Sequence, residues 1–497
     1  MPELLLALDA GTSNVSAALF SPAGDLLASA AAPVRSRSPH PGWVEQDARR
    51  IWRSAQAVVA RTLAEAGRSS GDVAAIGVTS QRASAVFWDR RTDRVLSPLV
   101  SWSDLRGAGR AGELMSAGFT VVPQMAAAKL EVVVAGIPDA AGLSAQGRLA
   151  WGNIDAYLVW KLSGGALHVT DRSQAWPTGY LNLSTMGWNE ALIAHQGLDP
   201  DSFPTLVDTW GRLGMTTTAA IGAEVPICAV VADQQSALMV HGGGDGLAKV
   251  TYGTSATLNV DTGGQLMMRG ASIPPFVLSS VGGQVRFCLE GMVYSAGSAL
   301  DWLRRTCGLG DIARFEALAA ATPDAESVCF LPALQGLGAP HGDFARRGLI
   351  GGLSMATEPG HLARAGLEGV AFRVREAFDH VYAGTEFAPP EGLFLVGYRD
   401  STPVACGGWR SRGTDAEAKR MYVTRDARRG GLARAVLAEL EATALAAGHR
   451  RMILETGTEQ PEAVAFYRSA GYTAIAPFGH YVSSPRSIHL GKLLAGD

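Results

Sequence analysis

Apolar and polar positions fall along this chain in two kinds of block: short β-type runs closed by glycine and polar residues, and longer runs with helical spacing. Leu4 to Leu8 is an unbroken apolar run ended by Asp9 and Gly11, the pattern of a buried strand entering a tight turn. Val15 to Phe20 predicts the return strand. The unit recurs far downstream, where Leu247 to Tyr252 and Ala256 to Val260 predict a second hairpin. Both tips read Gly-Thr-Ser, at Gly11-Thr12-Ser13 and at Gly253-Thr254-Ser255, which is an internal repeat. Between them, Val73 to Thr79 and Ile227 to Ala232 predict buried strands that run into Ser80-Gln81-Arg82 and Asp233-Gln234-Gln235. Helical spacing marks Ile154 to Leu162 and His361 to Val381.

The pattern changes across Arg375 to Pro390 (REAFDHVYAGTEFAPP). Beyond this seam, Leu393 to Tyr398, Pro403 to Arg410 and Glu417 to Val423 predict three strands. A loop from Asp426 to Ala433 then opens an amphipathic helix, Arg434 to Ala447, with Val436, Leu437, Leu440 and Leu445 on one face. The chain therefore reads as two partial enzymes, divided at 1–242, 243–384 and 385–497.

The candidate chemistry follows from these placements. Glycine lets backbone approach a ligand closely, and consecutive N–H groups beside a threonine hydroxyl form an anion-binding concavity. Two such tips, one of them preceded by Asp9, suit a polyphosphate gripped from both sides. In an open α/β sheet ligands sit beyond the carboxyl ends of the strands. That rule singles out Asp233, with Gln234, and the Trp102 of LVSWSD among small polar residues. After the seam, a glycine-rich, arginine-bearing loop opening a helix directly after a strand is a pyrophosphate site, since free N–H groups and the helix dipole both favour an anion. Arg428, Arg429, Gly430, Gly431, Leu432 and Ala433 form it, with Met421 and Val423 on the strand that leads in and Lys419, Arg420 and Arg425 adding positive charge.

Composition narrows this little. The length of 497 residues implies more than one core. Apolar residues at 47% and charged residues at 18% are ordinary for a globular protein. A net charge of -3 predicts no general affinity for nucleic acid or an anionic membrane. The five cysteines show no C-x-x-C spacing, which argues against a disulfide framework or zinc site and for a reducing compartment. With no secretion signal at MPELLLALDAG and no apolar run long enough to span a bilayer, a cytoplasmic location is expected.

Residues 4–381 resemble the FGGY carbohydrate kinases, the glycerol kinase and xylulokinase group of the actin-like ATPase superfamily. The likeness rests on LALDAGTS, PGWVEQD, IGVTSQR, LVSWSDLR, NIDAYLVWKLSGG, VADQQSAL, VTYGTSATL, EGMVYSAGSALDWL and RRGLIGGLSMATEPGHLARAGLEGVAF, in family order. It implies a two-lobed α/β fold of the ribonuclease H-like kind and use of ATP with Mg²⁺ on a sugar or polyol. By this resemblance Asp9 lies near the metal, Thr12 and Thr254 hold phosphates, and Asp233 is the general base. Gln81, Arg82, Trp102 and Gln234 line the polyol pocket. Ser16 stands where many relatives carry a phosphate-binding arginine. Ala83 and Gln124 replace residues with which glycerol kinases hold glycerol, which makes glycerol a poor fit. Nothing of the family's continuation after Val381, including its adenine loop, is expected, so the second lobe is incomplete.

Residues 386–494 resemble the GNAT-family N-acetyltransferases. Arg428, Gly431 and Ala433 match the R-x-x-G-x-A loop that binds acetyl-CoA, and AVAFYRSAGY (Ala463 to Tyr472) matches the segment whose tyrosine, here Tyr467, protonates the leaving thiolate. Glu417 matches a position that serves some members as general base. The acceptor implied is an amine. The N-terminal strand and helices of that family are absent, or come from the helix before the seam. Three readings follow: both activities present, only the acetyltransferase active beside a kinase remnant that binds sugar, or a fusion that binds ligands without turnover. Oligomeric state stays open.

Overall fold

The computed structural model describes residues 2–240, 246–270, 272–386, 392–399, 402–458, 460–478 and 486–494. Phe387 to Pro390 of the seam, the turn residues Asp400 and Ser401, and the side chain of Arg425 lie outside that description. Two compact units result: Met1–Thr251 with Thr257–Met268 and Pro274–Glu290, and Tyr252–Ala256 and Arg269–Ile273 with Gly291–Asp497. The Thr257–Met268 and Pro274–Glu290 stretches return to the first unit although they follow residue 242 in the chain.

The first unit is built on strands β1 (Leu4–Ala10), β2 (Asn14–Phe20), β3 (Leu26–Pro33), β4 (Val73–Ser80), β5 (Trp210–Met215) and β6 (Pro226–Ala232), in the sheet order β5-β6-β4-β1-β2-β3. The β1–β2 hairpin forms as the sequence predicts, closing at Ala10↔Val15 around the first Gly-Thr-Ser tip. β1 is not buried on both faces, as its apolar run implied. Leu4, Leu6, Leu8 and Ala10 are buried, while Leu5 is 44% exposed. Helix α1 (Ala48–Glu65) covers β2 and β3 with Ile51, Ala55, Val58, Val59 and Leu63, and Asp47 caps its first turn by accepting from the Arg49 and Arg50 N–H groups. Helix α2 (Ile154–Leu162) packs on β4, and α3 (Asp233–Met239) starts where β6 stops. A second sheet, of β7 (Ala248–Tyr252), β8 (Ala256–Gly263), β9 (Pro275–Val281) and β10 (Gln284–Val293), has the order β7-β8-β10-β9.

Register does the positioning. β1, β4 and β6 are parallel neighbours with Ala10↔Ser80 and Ser80↔Ala232 as their last pairs. The next residues in each strand, Gly11, Gln81 and Asp233, therefore leave the sheet along one carboxyl edge.

In the second unit, α4 (Gly297–Thr306) and α5 (Ile312–Ala321) pack with the hairpin β11 (Cys329–Leu331) and β12 (Leu349–Gly351) against the long helix α6 (Pro359–Glu386). Close approach fixes small residues here. A Cβ on Gly369 would lie 2.2 Å from the Phe330 carbonyl oxygen, and one on Gly366 would lie 2.7 Å from Leu303 Cδ2. Gly369→Ala is accordingly expected to lower stability by about 1–3 kcal/mol through overpacking, read from the urea midpoint. A change below a few tenths would show that the contact yields.

The chain then forms β13 (Gly392–Arg399), β14 (Thr402–Arg412), β15 (Asp415–Val423), α7 (Leu432–Ala446), β16 (Arg451–Gly457), α8 (Pro461–Ser469), β17 (Thr473–Ala474) and β18 (Ser487–Leu493), with the sheet order β13-β14-β15-β16-β18-β17. Leu437 and Leu440 of α7, Tyr467 of α8, and Trp409, Ala418, Met452, Leu454 and Leu490 of the sheet share one core. α6 belongs to both parts of this unit. Its Ala363 and Ala365 sit in the core of Leu303, Phe315 and Phe330. Farther along, the helix meets β13 and β14, and Asp379 lies 3.7 Å from Arg420 of β15. No helix among the described residues is long and apolar enough to cross a membrane.

Candidate functional site

The first constellation gathers at the carboxyl edge of β1, β4 and β6. Asp233 opens α3 and is partly buried; desolvation raises its carboxyl above the usual carboxylate range, and its Oδ1 accepts from the Gln234 N–H at 2.7 Å. Asp9 on β1 is pushed up to about 7, first by burial and then by the Asp233 charge, and its Oδ1 is buried without a partner. Arg82 gives a two-pronged pair of hydrogen bonds to Glu290 of β10, at 2.9 and 2.8 Å, and its Nε lies 3.8 Å from Asp233. Burial alone would depress the guanidinium; Glu290 and then Asp233 outweigh it and hold Arg82 charged. Asn259 of β8 donates to Glu290 at 2.9 Å, and Lys249 of β7 donates to Gln234 Oε1 at 3.0 Å. Asp233, Gln234 and Arg82, expected together, are together.

Gln81 does something other than line a pocket, and Trp102 bonds the same tip as it does. Gln81 is 1% exposed; its Nε2 donates to Gln46 and its Oε1 accepts from Thr12, so both ends of the amide are occupied by protein. The Trp102 indole donates to Thr12 Oγ1 at 3.1 Å, and Gln46 donates to the Thr12 carbonyl at 2.9 Å. All three brace the first tip. A buried lysine supports them from below: Lys129 donates to the Ser101 and Trp102 carbonyls, and burial lowers it to about 7.

The residues fit a magnesium ion carried by a nucleotide. Mg²⁺ is held in such sites by one or two carboxylates with substrate phosphates and water completing its shell. Asp9, with a buried oxygen lacking a partner among the described residues, supplies such a carboxylate. No cluster of three or more metal-ligating side chains exists among the described residues.

The second tip lies in the other unit. Gly253 N–H donates to the Ser255 carbonyl, and the N–H groups of Ala296, Gly297 and Ser298, where α4 starts, donate to the Gly253 and Thr254 carbonyls. A Cβ on Gly297 would stand 2.5 Å from the Gly253 oxygen. The carbonyl side of the tip is thus clasped, and Thr254 is left exposed.

The acetyl-CoA loop predicted after the seam is exposed from Arg428 to Gly431. Arg429 and Gly431 both have positive φ, 63° and 81°, and Gly431 caps α7 with no side-chain hydrogen bond to the first turn. Leu432 and Ala433 therefore offer free N–H groups at a helix start. Arg428 Nε donates to the Val423 carbonyl, tying the loop to β15. Met421 packs at the edge of the α7 core. Beside it the sheet opens: β15 and β16 pair only from Ala416↔Met452 to Ala418↔Leu454, although the strands run on to Val423 and Gly457. The gap is an unpaired wedge whose backbone can receive an extended amide-bearing chain. Tyr467 is buried in the core beside Phe466 and Tyr472, and burial raises its hydroxyl, keeping it protonated.

Glu417 is poorly arranged for the base role expected of it. Its carboxylate is 2% exposed and meets Arg410 and Lys419 at 2.8 Å and Arg412 at 3.4 Å. Burial opposes ionisation, but Lys419 and Arg410 prevail and lower it. Glu290, Lys249, Asn259 and Gln46 were missed in the sequence. The signal was there for Glu290: a carboxylate inside the apolar run VRFCLEGMV.

Residues 4–240 match the model "FGGY family of carbohydrate kinases, N-terminal domain", residues 248–398 its C-terminal counterpart, and residues 364–472 "Acetyltransferase (GNAT) family". The last two matches overlap at 364–398, so the kinase likeness runs past Val381 through β13, farther than the sequence reading allowed, and α6 and β13 answer to both families. A glycerol kinase of Geobacter sp. (strain M21) is 36% identical over 387 residues, covering 76% of this chain and 78% of the relative. One from Acinetobacter baylyi is 37% identical over 384 residues, covering 75% and 78%. Among solved structures, xylulose kinase from Rhodospirillum rubrum has a TM-score of 0.65 at 28% identity, covering 76% of this chain and 78% of that chain. Plasmodium falciparum glycerol kinase with ADP, at 23% identity and TM-score 0.71, shares the fold over the same fractions.

Proposed function

Because the chain belongs to the FGGY family of carbohydrate kinases and carries a GNAT acetyltransferase domain, we propose that it joins two transferase chemistries: ATP-dependent phosphorylation of a sugar or polyol hydroxyl, and acetyl transfer from acetyl-CoA to an amine. The observation that carries the first is Asp233, a half-buried carboxyl of raised pKa 3.8 Å from Arg82 and near Asp9 at one sheet edge. In this reading Asp233 takes the proton of the substrate hydroxyl, Gln234 and Arg82 orient it, and Thr12, braced by Gln81, Gln46 and Trp102, meets a phosphate. Bound at Asp9 with the nucleotide, Mg²⁺ would neutralise charge on the transferring phosphoryl group. Glycerol opens the substrate panel because the curated relatives are glycerol kinases; Ala83 and Gln124 favour a larger polyol or pentose.

The Arg428–Ala433 loop, exposed from Arg428 to Gly431, and the adjoining wedge support the second chemistry, with the loop amides on the pyrophosphate and Tyr467 protonating the leaving thiolate. We hold acetyl-CoA binding to be the better preserved of the two, since the coenzyme loop is whole while the chain stops matching the kinase family at residue 398. Paired titration calorimetry and thermal shift on the intact chain test this. At a hundredfold excess over Kd, acetyl-CoA is expected to add about 2.7 kcal/mol of stability, with a smaller gain from ATP–Mg²⁺. No heat and no shift with acetyl-CoA would remove the acetyltransferase reading. No phosphate transfer across the sugar panel would reduce the kinase part to a remnant.

A further inference from the structure

Lys249 and Gln234 meet where β7 runs beside α3, both within the first unit. Leu247, just before β7, packs with Leu238 and Met239 of α3 against Leu278 and Cys288, which sets strand and helix side by side. From that strand Lys249 Nζ donates to Gln234 Oε1 at 3.0 Å and to the Gln234 carbonyl at 3.4 Å. Thr251, two residues on and so on the same face of the strand, donates its Oγ1 to the same Oε1 at 3.3 Å. Burial lowers Lys249 from the ordinary lysine range, and the nearby Glu290 and Asp233 carboxylates oppose that by favouring the charged form. A charged lysine has donors and no acceptor, whereas a primary amide carries an acceptor at one end and donors at the other. The atom that faces Lys249 is therefore the amide oxygen. The Nε2 end is turned away from Lys249 and Thr251, and among the described residues nothing accepts from it.

We propose that Lys249 is a positioning residue for the sugar or polyol: by holding the Gln234 oxygen it makes Gln234 a hydrogen-bond donor, so the site selects a substrate oxygen that accepts at that position. The assignment rests on the phosphoryl-transfer reading above and adds a preference to it. Asp233, one residue earlier, only accepts once ionised, so the two neighbours offer opposite polarities. One takes the proton of the attacking hydroxyl, and the other donates to a second oxygen. A carbonyl oxygen accepts and cannot donate, while a hydroxyl does either. A Gln234 fixed as donor accommodates a ketose carbonyl and a polyol hydroxyl alike. An amide free to turn would serve the hydroxyl in both orientations and the carbonyl in only one.

The test uses the full chain and matched pairs that differ by a hydroxyl or a carbonyl: glycerol with dihydroxyacetone, and xylitol with xylulose. Titration calorimetry without nucleotide gives the affinities, and ADP release in the presence of ATP–Mg²⁺ follows transfer. In the parent, the two members of a pair are expected to bind within about threefold of each other. Lys249→Met is expected to weaken the ketose about tenfold, the worth of one neutral hydrogen bond, and the polyol by about threefold or less. Lys249→Arg keeps a group that only donates and should hold the parental ratio. A lysine of purely structural value would weaken both members alike as Tm falls. That outcome, or a Lys249→Met ratio within about twofold of the parent's, overturns the assignment. Binding without ADP release overturns the phosphoryl-transfer reading and leaves the affinity ratio to decide the role of Lys249. A parent that neither binds nor phosphorylates any member of the pairs overturns both.

Discussion

Arg82→Met is expected to destabilise the first unit by about 3–5 kcal/mol, the usual cost of leaving one member of a buried ion pair without the other. Glu290 would lose both of its guanidinium hydrogen bonds and keep only Asn259. Asp233 would lose its nearest cation, raising its carboxyl further. The unit reports on itself: of the eleven tryptophans all but Trp302 and Trp409 belong to it, so urea unfolding followed by their fluorescence isolates its transition. The midpoint should fall with the slope little changed. The double variant Arg82→Met with Glu290→Gln should recover part of the loss, because no bare charge remains. A single variant within about 1 kcal/mol of the parent would mean that water reaches Glu290 and that the pair is not the anchor of the site.

Asp233→Asn is expected to reduce phosphoryl transfer about 10²–10⁴-fold, the range for a positioned general base, with the substrate chosen from the polyol and pentose panel. The pH dependence has a definite sign. A base must be ionised, and burial raises Asp233, so the parent rate should fall as pH is lowered through a value above the ordinary carboxylate range. That limb should vanish in the variant. Stability runs the other way. A carboxyl that holds its proton more tightly folded than unfolded costs stability as pH rises through the interval between the two values. At neutral pH the asparagine variant should therefore be at least as stable as the parent, which separates lost chemistry from lost fold. Equal turnover by parent and variant would assign the proton to another group.

Much of the architecture was legible because local pattern and backbone period agree. The Leu4–Leu8 run, the Gly-Thr-Ser tips, the Ile227–Ala232 strand ending at Asp233, and the loop from Asp426 into an amphipathic helix each formed where the period and the turn residues require. Hydrophobic period and turn chemistry are properties of a few neighbouring residues, and so was the placement of Asp233 at a strand end. What pairs with what is a property of register and layers. Only the parallel alignment of Ala10, Ser80 and Ala232 brings Asp9 near Asp233. Only the packing of the second sheet delivers Glu290 to Arg82, some two hundred residues away. The same kind of contact makes Gln81 a strut instead of a pocket wall and neutralises Glu417 with three cations. It also runs α6 on from its own core to meet β13 and β14, where the sequence suggested a cut. The chain itself named its two families and most of their polar residues; long-range burial decided which of those residues keep free oxygens, because desolvation and charge pairing depend on neighbours that no local window contains.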